Sequence, residues 1–246
     1  MARTYNKPPL IEAVCDFRFS SSQPWDWTIP GLFYEQIRSD FPNKNQLSTI
    51  ETTVDAIEGR IVQQTQPKIQ FTNGDRTAVL HVGPDSLTIH QLRPYDGWEL
   101  FKSRILKYLS IYYETAHPEN LANVILRYVN RIEFSETGIE LDDYFRILPH
   151  IPDPIPQIFQ GFLFNVDIPY NALQTGLRLT FATVVPEREA KLAYILDLAM
   201  YSANHAVPST DTVPDWLESS HKHLEDAFEA AFTEKTHCEI FEEVRK

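Results

Sequence analysis

The side chains best suited to metal or acid–base chemistry are eight histidines and two cysteines, and few of them have a useful spacing. His81 and His90 fall on the two arms of a predicted hairpin, where imidazoles on adjacent strands can share a metal ion. No third ligand has a matching local spacing, so a packed histidine pair is the simpler interpretation. His221 and His223 are two residues apart on a predicted helix, which separates their rings by roughly 200°. We therefore predict no metal site.

Nucleophilic and phosphate-binding motifs are also missing from the sequence. No serine lies in a G-x-S-x-G pattern, and none of the eight glycines belongs to G-x-G-x-x-G or G-x-x-x-x-G-K. Cys15 falls on the apolar face of a predicted strand, where a buried thiol is inert. Cys238 follows His237, but neighbouring residues on a helix point in different directions. We predict no catalytic residue and no cofactor, and we favour a non-enzymatic protein over an enzyme.

Two groups of polar residues remain as candidate binding sites. On a predicted strand, arginine, amide and aromatic side chains occur together, as in proteins that bind RNA on a sheet face. The polar members of this group are Arg127, Asn130 and Arg131. A structural pairing of the arginines with Glu12, Asp16 or Glu133 is the alternative. The second group is the acidic face of a predicted C-terminal helix, which suits a basic protein partner or simply keeps the chain in solution. Its members are Glu218, Glu225, Asp226 and Glu229.

The distribution of charge favours the acidic group. Residues 1–134 carry 14 basic and 15 acidic side chains, whereas residues 135–246 carry 8 and 19, which gives a net charge of −12 for the chain. Affinity for nucleic acid depends mainly on basic residues that release counterions from the phosphates. We therefore predict a protein partner of basic charge and negligible binding of duplex DNA.

Composition predicts a globular protein that does not enter a membrane. Hydrophobic residues make up 43% of the chain and aromatic residues 12%, which is enough for a sizeable core. No stretch approaches the roughly 18 apolar residues of a membrane-spanning helix. The polar N-terminal residues lack the apolar segment of a signal peptide. Two distant cysteines do not make a disulfide framework, so we predict a cytoplasmic protein.

The elements that must position the candidate residues predict an α+β fold. In the first half, alternating apolar residues predict strands at 12–19, 50–63, 66–73 and 124–134, and a hairpin with arms at 77–82 and 86–92. Helical spacing predicts two helices, at 31–41 and 98–112. This order is typical of a ferredoxin-like unit with extra strands in an antiparallel sheet.

The second half repeats this plan in outline, without a repeat at the level of residues. We predict a short helix at 141–148, a Pro-rich connector at 149–156 and strands at 161–169 and 176–185. Residues 190–202 fit a strand, although Leu192, Ile195, Leu196 and Ala199 also fit a helix. A long helix beginning at Asp215 closes the chain, and residues 238–246 extend it.

The predicted organisation is two antiparallel sheet-plus-helix halves, the first ferredoxin-like with extra strands. Residues 1–134 form the first half, 135–160 the connector and 161–246 the second half with its acidic C-terminal helix. One continuous domain is the alternative. The corresponding function is that of a non-enzymatic interaction or accessory protein. The alternative function is the binding of RNA or a small ligand through the sheet of the first half.

Four segments carry a resemblance to a known family. They are PPLIEAV at 8–14, VGPDSL at 82–87, RYVNRI at 127–132 and HLEDAFEAAF at 223–232. They resemble a sporadically distributed bacterial family of mostly uncharacterised proteins of about this chain's length. The resemblance spans nearly the whole chain and implies no activity, cofactor or catalytic residue. A sporadic distribution implies an accessory role, such as defence or toxin neutralisation.

Overall fold

The computed structural model describes residues 3–20, 24–55, 60–158, 160–170, 174–187, 190–202 and 207–244, with backbone only at 48–66. The described chain is an α+β protein with a nine-stranded antiparallel sheet and three α-helices. The strands are β1 (Leu10–Ser20), β2 (Asn43–Asp55), β3 (Arg60–Thr72), β4 (Ala78–Gly83), β5 (Ser86–Leu92), β6 (Asn120–Phe134), β7 (Leu163–Tyr170), β8 (Thr175–Val184) and β9 (Leu192–Ser202). The helices are α1 (Ile29–Ile37), α2 (Trp98–Ala116) and α3 (Val213–Ala231).

The strand order in the sheet is β2-β3-β4-β5-β1-β6-β9-β8-β7. By contacts the chain divides into two compact units. The first consists of Met1–Ala13, Leu126–Ala206 and Asp215–Lys246, and we call it the terminal unit. The second consists of Val14–Ile125 and Val207–Pro214, and we call it the central unit. The division runs through β1 and β6 rather than through the predicted connector at 135–160.

In the central unit, a long meander packs one face against two helices. The register pairs Leu80 with Ile89, and both side chains are fully buried on the same face because opposite residues of an antiparallel pair share a face. α2 contributes Tyr112, whose ring lies 4.7 Å from that of Phe19 in β1. Between β3 and β4, the Asn73 carboxamide accepts hydrogen bonds from two backbone N–H groups at 2.9 and 3.0 Å, which fixes the predicted turn.

In the terminal unit, β8 and β9 bury one face under α3. Leu179 is opposite Leu198 and Phe181 is opposite Leu196, and all four are buried. Just after α3 ends, Phe232 and Phe145 bring their rings to 5.7 Å. This packing explains why residues 192–202, which fit both periods in the sequence, form a strand: both faces of β9 are largely covered, so its apolar residues need not alternate.

Several predicted boundaries are wrong. The predicted strand at 50–63 instead takes in the end of β2 at Asp55 and the start of β3 at Arg60, and residues 56–59 lie outside the described residues. The predicted helix at 141–148 is a single 3₁₀ turn at Leu141–Asp143. The tail does not extend α3, because Thr236–Ile240 forms a π-helix and Glu243 then pairs with Tyr5 in an isolated β-bridge. The closing helix itself and the strand at 190–202 are confirmed.

In the described part of the chain, none of the helices is long and apolar enough to cross a membrane.

Candidate functional site

The orientation of α3 follows from its apolar spacing. The apolar residues Val213, Leu217, Leu224 and Ala231 recur at intervals of four or seven residues, and all four are buried. Ser220 is the polar member of this stripe and is also buried. The remaining two thirds of the helix circumference therefore faces away from the sheet.

Three of the four predicted partner-binding carboxylates share one flank of α3. At 100° per residue, Glu218, Glu225 and Glu229 fall within about 40° of one another, roughly 120° from the buried Leu224. We call this row the acidic flank. Asp226 lies further round, pointing outward, and keeps 67% of its side chain exposed. It lies 3.8 Å from the ammonium of Lys222, which is the only lysine or arginine in α3.

Glu225 lies at the centre of the acidic flank. Its side chain is 43% exposed, and one carboxylate oxygen lies 3.4 Å from His221 Nε2. Burial is the main reason that its pKa is raised, and the neighbouring Asp226 and Glu229 carboxylates raise this pKa further. Burial therefore dominates this shift, and repulsion from the neighbouring negative charges adds to it.

Glu229 belongs to an internal cluster rather than to a free surface. Its Oε2 lies 2.9 Å from Arg3 Nε, and its Oε1 accepts a hydrogen bond of 2.9 Å from the Tyr5 hydroxyl. The same guanidinium also binds Glu234 at 2.6 Å and Glu243 at 3.1 Å. We call these residues, with His237, the terminal cluster, because they join residues 3–7 to the C-terminal segment.

His237 is the buried centre of the terminal cluster. It is 1% exposed, its Nδ1 lies 2.8 Å from the Tyr5 hydroxyl, and its ring stacks on Tyr5 at 5.7 Å. Burial lowers the pKa of the imidazole, the Glu229 carboxylate opposes this shift, and Arg3 adds to it. The same burial, together with Glu229, raises the pKa of the Tyr5 phenol. The neutral imidazole and phenol thus act as a fixed hydrogen-bonded pair.

The three residues of the alternative site do not share a face. Arg127 points to the face of the sheet away from α3, where it makes a bidentate pair with Asp197 at 2.7 and 2.6 Å. Asn130 has the opposite parity along β6 and points to the other face. It is 3% exposed, and its amide donates to the Leu196 carbonyl at 3.3 Å. Arg131 pairs with Glu133 at 2.7 Å.

Each arginine described on that face of the terminal unit has an acidic partner. Arg178 forms a bidentate pair with Asp167, at 2.9 and 3.1 Å, as Arg127 does with Asp197. Arg131 also lies 3.7 Å from Glu187, so three guanidinium groups face four carboxylates. The surface therefore offers no surplus of positive charge to a phosphate backbone. The structure therefore contains ion pairs for these arginines, as in the alternative stated from the sequence. Arg131 pairs with Glu133, but Arg127 pairs with Asp197 and not with Glu12 or Asp16.

The structure places one pair of the candidate histidines side by side and the other pair apart. His81 Nδ1 and His90 Nε2 lie 3.2 Å apart, so the two arms of the hairpin do bring them together. His221 bonds Tyr128, whereas His223 contacts Tyr170, so these two diverge. Cys15 is fully buried, which raises the pKa of its thiol.

One group of potential metal ligands lies close together in the described residues. Glu234, Cys238 and Glu243 place one ligand atom each within 4.8 Å of the others. Arg3 already binds both carboxylates, so their charge is compensated within the chain.

Sequence reasoning missed the terminal cluster because its members are more than 220 residues apart. Arg3 and Tyr5 precede β1, and Glu229 and His237 lie near the opposite end of the chain. The available signal was local: His237 lies between Thr236 and Cys238 in a C-terminal sequence rich in charged residues, and Tyr5 lies in a polar segment. Neither feature indicates which residue elsewhere in the chain would contact Tyr5 or His237.

Comparison with known proteins adds no relative. No protein-family model matches the sequence, and no curated protein is significantly similar to it.

Proposed function

We propose that this chain is a non-enzymatic interaction protein that docks a basic protein partner on the exposed side of α3. The observation that carries this proposal is the acidic flank. Of its three members, Glu218 and Glu225 are open to a partner, and Asp226 lies beside them on the helix. Lys222 is the single basic side chain in the helix. The carboxylates of Glu218, Glu225 and Asp226 together create a local negative potential that attracts a basic surface.

Attraction of this kind acts mainly on the rate of association. Exposed charges steer a partner to the surface, and burial of a small apolar area then holds it. Glu229 has a structural role in this proposal. Arg3 neutralises its charge, so this carboxylate fixes the end of α3 and does not attract the partner.

The RNA-binding alternative has less support. Its residues are divided between two faces of β6, and both arginines are paired with carboxylates. A basic protein partner agrees better with the net charge of the second half.

Three finer predictions belong to the same proposal. The segment β1-α1-β2-β3-β4-β5-α2-β6 is a ferredoxin-like unit widened by two strands, because its sheet order keeps the first strand between the last two. Neither Cys15 nor Cys238 is in a disulfide bond, which agrees with the reducing cytoplasm. The resemblance to a sporadically distributed bacterial family suggests an accessory role in defence or toxin neutralisation.

Quantitative affinity purification from the native host tests the proposal. The bait proteins are the wild type, the double variant Glu218→Lys with Glu225→Lys, and the control Asp75→Lys with Glu136→Lys, which makes the same charge change at exposed positions elsewhere. We expect a basic protein that the wild type and the control retain and the α3 variant loses. A partner retained equally by all three would refute docking on α3.

A further inference from the structure

We propose that a second copy of this chain pairs with β7, so that the terminal units of the two copies share one continuous antiparallel sheet. β7 is the last strand in the sheet order, and β8 is its only neighbour in the described residues. An edge strand of this kind carries a row of backbone groups that can pair with another chain. The proposed dimer goes beyond the docking of a basic partner on α3 and uses a different surface.

The backbone groups at the open edge belong to alternate residues of β7. The Thr183 N–H donates to the Phe162 carbonyl at 3.0 Å, and the register of β7 and β8 continues from this pair. In an antiparallel pair, successive residues turn their N–H and C=O groups to opposite sides. Even-numbered residues of β7 therefore face β8, and odd-numbered residues face the open edge. The odd-numbered residues with an N–H donor are Leu163, Asn165 and Asp167.

The centre of β7 has little of the charge and proline that protect edge strands from pairing. Its single charged residue is Asp167, and the Arg178 guanidinium already binds this carboxylate at 2.9 and 3.1 Å. Pro169 is the next-to-last residue, so it removes an outward N–H only near the end of the strand. Leu163 is 74% exposed and Ile168 is 38% exposed. The edge is therefore both apolar and electrically neutral within the chain.

The apolar residues of β7 are complementary to themselves in an antiparallel register with a twofold axis at Val166. In this register Val166 lies opposite Val166 of the second copy, and Phe164 lies opposite Ile168 of the second copy. Opposite residues share a face, so these side chains form one apolar cluster across the new strand pair. All three are at least partly exposed in the single chain, so pairing would remove apolar surface from water.

The other face of β7 is complementary in the same register. Leu163 lies opposite Pro169 of the second copy, and the Asn165 carboxamide lies opposite the Asp167 carboxylate of the second copy. An amide can donate a hydrogen bond to a carboxylate across the strands. A twofold axis at Asp167 would instead oppose two carboxylates, which destabilises a strand pair. The side chains therefore favour the axis at Val166, and a symmetric pair of this kind closes as a dimer.

The charges of α3 leave the side facing β7 uncharged. His223 lies on this side, because its ring is 5.0 Å from that of Tyr170 in β7, whereas His221 bonds Tyr128 in β6. At 100° per residue, the side chains roughly 60–120° from Leu224 in the direction of His223 include no Asp, Glu, Lys or Arg. They are Trp216, His223, Ala227 and Ala230. The acidic flank lies on the opposite side, so two copies joined through β7 would not bring their acidic flanks together at the new strand pair.

Sedimentation velocity of the intact chain tests the dimer and its register. We expect a reversible equilibrium between monomer and dimer with a dissociation constant of about 1–100 µM, because one added strand makes a small interface. Asn165→Asp is an isosteric change at an exposed position that opposes two carboxylates at two symmetric sites, so it should weaken the dimer about tenfold. Adding Asp167→Asn exchanges the two groups and should restore the wild-type constant to within about threefold.

The matched control makes the same change at the other end of the sheet. Asn45 is exposed on β2, the first strand in the sheet order, and Asn45→Asp should leave the equilibrium unchanged. Equal weakening by Asn45→Asp and Asn165→Asp would overturn the proposal, and so would a failure of the exchanged variant to recover. A wild type that stays monomeric up to about 300 µM would also overturn it.

Oxidative cross-linking gives a second, geometric test. The two copies of residue 166 are directly opposite in the proposed register, so Val166→Cys should form a disulfide-linked dimer. In Ile168→Cys the two thiols would be displaced by about 14 Å along the strands, so this variant should not form the link. Equal cross-linking of the two variants would contradict the register with its axis at Val166.

Discussion

Replacing Tyr5 by phenylalanine tests the terminal cluster, because it removes one oxygen and keeps the ring. The ring contacts with His237 at 5.7 Å and Phe241 at 5.4 Å remain. Two hydrogen bonds are lost, at 2.9 Å to the Glu229 carboxylate and 2.8 Å to His237 Nδ1. Because His237 is 99% buried, water cannot replace the bond to its ring nitrogen. A bond to a charged group and an unsatisfied buried nitrogen together cost about 2–4 kcal/mol.

Urea and thermal unfolding of the wild type and two variants measure this cost. The matched control is Tyr34→Phe, whose hydroxyl donates at 3.1 Å to the Pro42 carbonyl at an exposed position. We expect Tyr5→Phe to lower the melting temperature of the unit that contains it by about 5–15 °C. Tyr34→Phe should change the free energy of unfolding by no more than about 0.5 kcal/mol. If the two variants differ by less than that amount, the hydrogen-bonded cluster does not stabilise the fold.

Four further outcomes follow from the described contacts. Phe228→Ala, which removes a half-buried ring packed 5.0 Å from Phe232, should cost about 2–4 kcal/mol in unfolding experiments, somewhat less than the loss of a fully buried phenylalanine ring. Burial lowers the pKa of His237 from its ordinary 6.5, so the unfolded chain binds more protons and stability should fall as the pH drops from 7 to 5. His237→Gln should flatten that slope, and an unchanged slope would exclude His237 as its cause. A double-mutant cycle on Arg127 and Asp197 should give a coupling of at most about 1 kcal/mol, since the arginine is 45% exposed. Duplex DNA should show no micromolar binding at physiological salt in a polarisation assay, and micromolar affinity with a steep salt slope would revive the alternative function.

The secondary structure could be predicted from the sequence wherever the apolar residues of a segment followed a single helical or strand period. α2 and α3 were predicted because their apolar residues recur at helical spacing, and the hairpin of β4 and β5 because alternation flanks a turn. It failed at 50–63, where polar residues show no period that separates β2 from β3. Residues 238–246 continued a helical composition, but the pairing of Glu243 with Tyr5 decides their structure, and such a contact leaves no local trace.

The candidate sites show the same limit. Residues 218–229 could be assigned to a helix face because a single element fixes their directions. Strand period alone separates Asn130 from Arg127, since three positions are an odd interval and place the two side chains on opposite faces. Residue type alone places the two in one group, although this parity separates them. Asp197, the actual partner of Arg127, lies 70 residues away and could not be inferred from spacing.

The rate of association with the captured partner tests docking on α3 most directly. It should be measured by stopped flow or biolayer interferometry, at low and at physiological salt, for the wild type, Glu218→Lys with Glu225→Lys, and the charge-matched control Asp75→Lys with Glu136→Lys. Steering by the acidic flank predicts an association rate at least about tenfold lower for the α3 variant at low salt, a smaller difference at physiological salt, and little change for the control. Equal association rates for the α3 variant and the wild type, with both proteins folded, would contradict it.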